Sequence, residues 1–271
     1  MSNNLPEKEK ALLKLLAGLG PLAVAFSGGA DSSYLLAAAR EALGSNVLAV
    51  TAVSPIVPQD EVRRAREFAA SLKVNHIFVE DDPLSLAGFV ENGPMRCFHC
   101  KKAQLEKLSF AALDAGFPTL VHGANKDDHK DYRPGLGAAA QLGVGAPLAE
   151  CGLSKEDIRT LSKARGLTTW NKPPMACLAT RIPYGEPITL EKLQKVQAAE
   201  DFLSLLGFSG FRVRYCGPVA RIEARPEDFE KILSPKTREK IVRAFAKTGF
   251  DHVALDLEGY TTGSLNRALK K

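Results

Sequence analysis

Apolar runs and helix-spaced apolar positions alternate along the first half of the chain. Leu22 to Phe26 and Val47 to Val53 carry no charge, as strands covered on both faces require. Asn75 to Glu80 and Thr119 to Gly123 read as a third and a fourth strand. Between them lie helical patterns: 5–19, amphipathic and expected to cover a sheet edge; 34–43, rich in Ala and Leu; and a helix capped by Asp60 that runs to about Leu72. Residues 92–102 read as a turn-rich segment opening a helix that ends near Gly116. Ser154, with Asp157 three residues on, starts another helix in a capping-box pattern. Strand and helix in alternation imply right-handed crossovers and a parallel sheet with helices on both faces. Ligands in such sheets sit beyond the carboxyl ends of the strands.

The pattern breaks at 170–187, where four prolines resist helix and strand alike. The expected boundary falls there, giving a first domain over 1–185 and a small α+β domain over 186–271. In the latter, Thr189 to Leu206 has helical spacing. Phe211 to Tyr215, Val219 to Ala224 and His252 to Leu257 read as strands, with helices over 226–233 and 236–247.

Composition narrows the classes. The 271 residues carry a net charge of +5, which suits an anionic small molecule and is too mild to argue for nucleic acid. No apolar run approaches a membrane span, and the polar start MSNNLPEKEK has no signal-peptide core, so the expected compartment is the cytoplasm. Five cysteines without an export signal argue against a disulfide framework. They read as core residues, metal ligands or reactive thiols.

The candidate chemistry begins at Ser27-Gly28-Gly29-Ala30-Asp31-Ser32-Ser33, between the first strand and its helix. Two glycines let backbone N–H groups approach an anion, and the helix N-terminus adds partial positive charge. Asp31 is odd in a pure anion site; a place near Mg²⁺ would account for it. The Gly-Lys-Ser/Thr ending of the common P-loop is missing. At the end of the fourth strand, Asn125 precedes the adjacent carboxylates Asp127 and Asp128, a set suited to Mg²⁺ or equally to a solvated turn. Cys97 and Cys100 form a Cys-x-x-Cys pair, open to zinc, redox or iron–sulfur readings. Neither a second zinc pair nor a thioredoxin pattern is evident, and Cys177 offers a third thiolate for a 4Fe–4S cluster. Cys177, flanked by Lys172 and Arg181, also reads as a thiol of lowered pKa and a nucleophile. Cys151 and Cys216 have no partner pattern and read as structural. Arg212 and Arg214 alternate onto one strand face, with Arg221 close by, and suit bidentate grip on a phosphate.

The string SGGADSS resembles the loop of the PP-loop, or N-type, ATP pyrophosphatases, whose fold is adenine nucleotide alpha hydrolase-like. Five strings in order, AFSGGADSS, RCFHCKK, HGANKDDHKDYRPG, KPPMACLATRIPYG and FRVRYCGPVARIEA, make nearly the whole chain similar to the LarE family of nickel-pincer cofactor biosynthesis. The resemblance implies an ATP-dependent sulfurtransferase acting on pyridinium-3,5-biscarboxylic acid mononucleotide. A ring carboxylate is adenylated, pyrophosphate leaves, and sulfur replaces oxygen. By the same resemblance Ser27, Gly28, Gly29, Asp31 and Ser32 bind the ATP phosphates, and Asp127 and Asp128 are the family's acidic pair. Arg212 and Arg214 take the substrate phosphate, Cys177 handles sulfur, and the protein forms a homo-oligomer, often a hexamer. Members with Cys-x-x-Cys and the later cysteine resemble cluster-dependent thiolases, which favours a 4Fe–4S cluster on Cys97, Cys100 and Cys177 over sacrifice of Cys177 to dehydroalanine. The competing readings are a PP-loop tRNA thiolase, an ammonia-using ligase resembling NAD synthetase and a nucleotide-binding regulator without catalysis.

Overall fold

The computed structural model describes residues 5–130, 134–173, 176–261 and 264–269. Asp131, Tyr132, Arg133, Pro174 and Met175, which belong to the strings above, lie outside them. In chain order the elements begin with α1 (Leu5–Leu19), β1 (Leu22–Ala25), α2 (Ala30–Leu43), β2 (Val47–Val53), α3 (Gln59–Ser71) and β3 (Asn75–Glu80). Next come α4 (Ala87–Val90), α5 (Arg96–Asp114), β4 (Thr119–His122), α6 (Pro134–Gln141), α7 (Pro147–Glu150) and α8 (Lys155–Ala164). The remainder is α9 (Leu190–Leu205), β5 (Arg212–Cys216), β6 (Val219–Glu223), α10 (Phe229–Leu233), α11 (Pro235–Lys247) and β7 (His252–Leu255). Contacts divide the chain into two units, one of residues 1–83 and 97–175, the other of 84–96 and 176–271.

The first unit is a four-stranded parallel sheet in the order β3-β2-β1-β4. Its strands are short and β-branched or Ala-rich, and all four residues of β1 are buried. Alternate side chains feed separate cores, as the period of two requires. Leu22, Val24 and Phe26 join Leu12 and Leu16 of α1, the Ala–Leu face of α2, and Ala65 and Phe68 of α3. Ala23 and Ala25 join Leu48, Val50, and Leu105 and Leu108 of α5 on the other side. Each buried Leu or Phe is worth about 1.5–3 kcal/mol. Thus α1 adds its apolar stripe to a face of the sheet through α2, where the pattern predicts an edge cover.

Chain order explains where the site lies. From β1 the chain moves outward through β2 to β3, then returns to pair β4 on the other side of β1. The carboxyl ends of β1 and β4 therefore flank the point where the winding reverses.

Several boundaries differ from the sequence expectation for local reasons. Pro58 sits at the N-cap of α3, so Asp60 falls in the first turn and pairs with Arg63 at 3.3 Å. The segment 92–102 is turn only as far as Met95, because α5 starts at Arg96 and takes in both cysteines. By contrast, Ser154 caps α8 in a complete capping box with Asp157, as the spacing predicts.

The second unit holds a three-stranded sheet in the order β5-β6-β7, with β5/β6 antiparallel and β6/β7 parallel. Gly217, at φ +63°, makes the tight turn between β5 and β6. Leu193, Val196, Ala199 and Leu203 form the buried face of α9. The 84–96 segment is integral to this unit. Asn92, fully buried at φ +56°, donates from Nδ2 to the carbonyls of Pro183 and Glu186, each at 2.7 Å. Its Oδ1 accepts from Arg96, whose guanidinium lies 4.5 Å from the Tyr184 ring centre.

Two imidazoles of the first unit, His76 and His122, are pushed down to about 4, each chiefly by burial, with Arg66 or Lys101 adding repulsion. The unfolded chain protonates them near pH 6.5, so unfolding takes up protons between there and pH 4 and stability falls as pH drops through that window. Urea midpoints should decline between pH 7 and pH 4.5, and His122→Asn should flatten the decline.

Candidate active site

The turn after β1 is built around two contacts with other elements. Gly28 has φ +70°, a left-handed conformation glycine adopts at no cost. A Cβ there would meet the Ala65 Cβ of α3 at 3.1 Å. On the opposite flank, a Cβ on Gly123 would come within 2.9 Å of the Ser32 nitrogen. The loop is thus seated between α3 and the end of β4, with no room for side chains at either glycine. Gly29 is the N-cap of α2, and its carbonyl accepts the Ser33 N–H at 2.9 Å and the Ser32 hydroxyl at 3.2 Å. Ser27 and Ser32 share a hydrogen bond of 3.2 Å.

One bond crosses the reversal point: Asn125 Nδ2 donates to Asp31 Oδ2 at 3.1 Å. Asn125 is fully buried, and its own N–H donates to Asp128 Oδ2 at 3.1 Å. Asp128 also pairs with Lys155 at 3.2 Å. Asp127 accepts the Lys155 backbone N–H at 2.9 Å, tying the strand end to the start of α8. So Ser27, Gly28, Gly29, Asp31, Ser32, Asn125, Asp127 and Asp128 converge at the carboxyl ends of β1 and β4.

Beside the loop opens a cleft of about 450 Å³, counting the space continuous with solvent, lined among others by Phe26, Ser27, Thr51, Glu61, Lys101 and Gln104. Thr51 donates to the Phe26 carbonyl at 2.5 Å, and His76 Nε2 lies 2.7 Å from the same hydroxyl. The threonine has one proton to give, so His76 is the donor in that second bond. Burial lowers the Lys101 pKa, with the charges of Cys100 and Asp81 acting in the other direction.

Sequence reasoning missed Glu61 and the true place of Lys172. Glu61 sits on the buried stripe of α3 with Ala65 and Phe68, an acid where the period calls for an apolar residue. Its partner is Lys172, whose Nζ donates to Glu61 Oε2 at 2.5 Å and to the Gly28 carbonyl at 2.8 Å. Lys172, read from the sequence as a flank of Cys177, is thus bonded to the Gly28 turn and to Glu61. Arg181 is likewise committed elsewhere. Its Nε and Nη2 meet the Glu200 carboxylate at 2.9 and 3.0 Å, while Nη1 donates to the carbonyls of Ala176 and Cys177. That guanidinium, 2% exposed, braces the turn that carries Cys177.

The cysteines fall in different units. Cys97 and Cys100 stand one turn apart at the start of α5, in the first unit; Cys177 is the N-cap of the 3-10 turn Leu178–Arg181 in the second. None of the five cysteines is in a disulfide. Cys151 is half-buried against the core, and burial raises its thiol pKa. Among the described residues no group of three or more His, Cys, Asp or Glu is placed to hold a metal ion.

Arg212 and Arg214 also lie in the second unit. Burial lowers the Arg212 pKa, and the nearby charges of Arg181 and Arg214 lower it further, so three guanidiniums are gathered there. Arg212 lies over the Tyr260 ring at 4.8 Å. Arg214 is buried and pairs with Glu223 at 2.7 Å, with further bonds to Ser264 and the Thr180 carbonyl.

Residues 9–88 match the asparagine synthase family. With the loop at the sheet's reversal point, this defines an ATP-using enzyme of the PP-loop class. The pyridinium-3,5-bisthiocarboxylic acid mononucleotide synthase of Lactiplantibacillus plantarum is 36% identical over 271 residues, covering 98% of this chain and 96% of that protein. An uncharacterized protein of Synechocystis sp. is 39% identical over 267 residues, 98% of this chain and 100% of that protein. Another uncharacterized protein, from Methanocaldococcus jannaschii, is 30% identical over 261 residues, 96% of this chain and 95% of that one. The chain belongs to the LarE family, that of the Lactiplantibacillus synthase. Among the described residues no helix is long and apolar enough to cross a membrane.

Glu200→Gln should destabilise the protein by about 3 kcal/mol, because it strands a buried guanidinium. Urea unfolding monitored by far-ultraviolet circular dichroism measures the loss, and the double variant Arg181→Met/Glu200→Gln should recover part of it.

Proposed function

We propose that this protein adenylates a ring carboxylate of pyridinium-3,5-biscarboxylic acid mononucleotide with ATP and converts it to a thiocarboxylate. The observation that carries the reading is the near full-length likeness to the Lactiplantibacillus synthase, joined to a donor-rich glycine turn where such a reaction needs its phosphate site.

Each step has a physical reason. A carboxylate is a poor electrophile. Attack of its oxygen on the ATP α-phosphorus expels pyrophosphate and creates an acyl-adenylate with a good leaving group. The N–H groups of the Ser27–Ser32 turn and the α2 N-terminus stabilise charge on the departing pyrophosphate. The cleft beside Phe26 and Thr51 takes the nucleoside. Attack by a sulfur nucleophile on the acyl carbon then releases AMP. Arg212 and Arg214 of the second unit are the guanidiniums we assign to the phosphate of the substrate mononucleotide.

Mg²⁺ on a triphosphate needs only one or two protein carboxylates, the rest of its shell being phosphate and water. Asp31 and Asp128, both bonded to Asn125, fit that requirement, with Asp127 next to them. The ion would neutralise charge on the β- and γ-phosphates. Cys97, Cys100 and Cys177 are the thiolates we assign to a 4Fe–4S cluster, thiolate being the donor such clusters take. The spacing of Cys97 and Cys100 by one helical turn supports them as neighbouring ligands.

Two measurements test the reading. Asp31→Ala should abolish substrate-dependent pyrophosphate release while the far-ultraviolet circular dichroism is unchanged; retained release would remove Asp31 from the site. Protein purified without oxygen should be brown with about four irons per chain. Colourless protein that carries dehydroalanine at 177 after turnover would overturn the cluster and select Cys177 as the sulfur donor.

A further inference from the structure

We propose that Lys172 is a positioning residue for the phosphate tail: it sets the plane of the Gly28–Gly29 peptide so that the Gly29 N–H faces the anion. The inference rests on the glycine turn being the phosphate site.

The Gly28–Gly29 peptide is trans, since the described residues hold no cis bond, so its carbonyl and its N–H point in opposite directions. Fixing one fixes the other. Lys172 Nζ holds the Gly28 oxygen at 2.8 Å. The Gly29 N–H is left with a 3.5 Å contact to Ser27 Oγ, too long to satisfy a backbone donor. It is presented as an under-used donor, which is what an anion requires.

Such a pin is needed because two consecutive glycines resist peptide rotation weakly. A flipped peptide would offer an oxygen to the phosphates in place of a hydrogen. Ala65 fills the space a Gly28 Cβ would need, 3.1 Å from its own Cβ. The ammonium is itself held. Lys172 and Glu61 have side chains each 11% exposed and meet at 2.5 Å. Glu61 belongs to the first turn of α3, the same helix that seats Gly28 through Ala65. One helix therefore closes the space beside the glycine and holds its carbonyl through the lysine.

The test uses the full chain as wild type, Lys172→Met, Lys172→Arg and the double variant Lys172→Met/Glu61→Gln, which removes the orphaned carboxylate. Binding of α,β-methylene-ATP and of pyrophosphate is measured by calorimetry, and binding of adenosine by saturation-transfer NMR. The Met variants should bind both phosphate ligands about tenfold or more weakly, the scale of one hydrogen bond to a charged group, with adenosine unaffected. Lys172→Arg should recover most of the loss. In turnover KM for ATP should rise while kcat at saturation holds, the signature of lost ground-state binding. Unchanged phosphate affinity in both Met variants, or equal losses for adenosine and pyrophosphate, would overturn the pin. Absence of phosphate binding in the wild type would overturn the assignment of the turn itself.

Discussion

The hydrogen bond from Asn125 to Asp31 joins two strand ends that the sheet's winding drives apart in sequence and holds side by side in space. A parallel sheet that reverses direction leaves a crevice at that place, with unpaired backbone groups on either lip. In this protein one lip is a glycine turn and the other an Asn-Asp turn. The bond makes them one wall. Asn125 is fully enclosed and also ties Asp128 into its own turn, so the acidic lip is held by hydrogen bonds of its own. Preorganised polar groups of this kind cost no rearrangement when charge develops.

The two units handle positive charge differently. In the glycine turn a lysine is directed at a carbonyl and at the carboxylate of Glu61. In the second unit guanidiniums carry the charge, and two of the three are balanced by the carboxylates of half-buried Glu200 and buried Glu223. Burial of such pairs is weak evidence for stability, since desolvation consumes much of the attraction. Their effect is geometric: Arg181 closes the turn at Cys177 by gathering two of its carbonyls, and Arg214 reaches the carbonyl of Thr180 in the same turn.

Much of this was legible in the residues. Uncharged runs at Leu22 and Val47 could only be strands covered on both faces, and the glycine turn followed where strand gives way to helix. The capping box at Ser154 was readable because both of its bonds are local. What was not legible depends on contacts distant in sequence. Lys172 and Arg181 flank Cys177 in the chain, yet each charge is taken by a glutamate, one 111 and the other 19 positions away. The acid on the apolar stripe of α3 was a visible anomaly, and a search for its counter-ion would have found the lysine. The start of α5 was obscured by Asn92-Gly93-Pro94, whose turn ends sooner than its composition suggests. The part of the second unit drawn from 84–96 left no compositional mark at all.

That borrowed stretch has a consequence for how the protein can be divided. The chain leaves the first unit after Pro83, returns at Cys97 and leaves again after Met175, so neither unit is a continuous stretch of gene. A fragment that starts at Ala176 would be deprived of Asn92, and the carbonyls of Pro183 and Glu186 would lose the amide they share. The smaller unit is consequently not a detachable module that recombination could transplant whole.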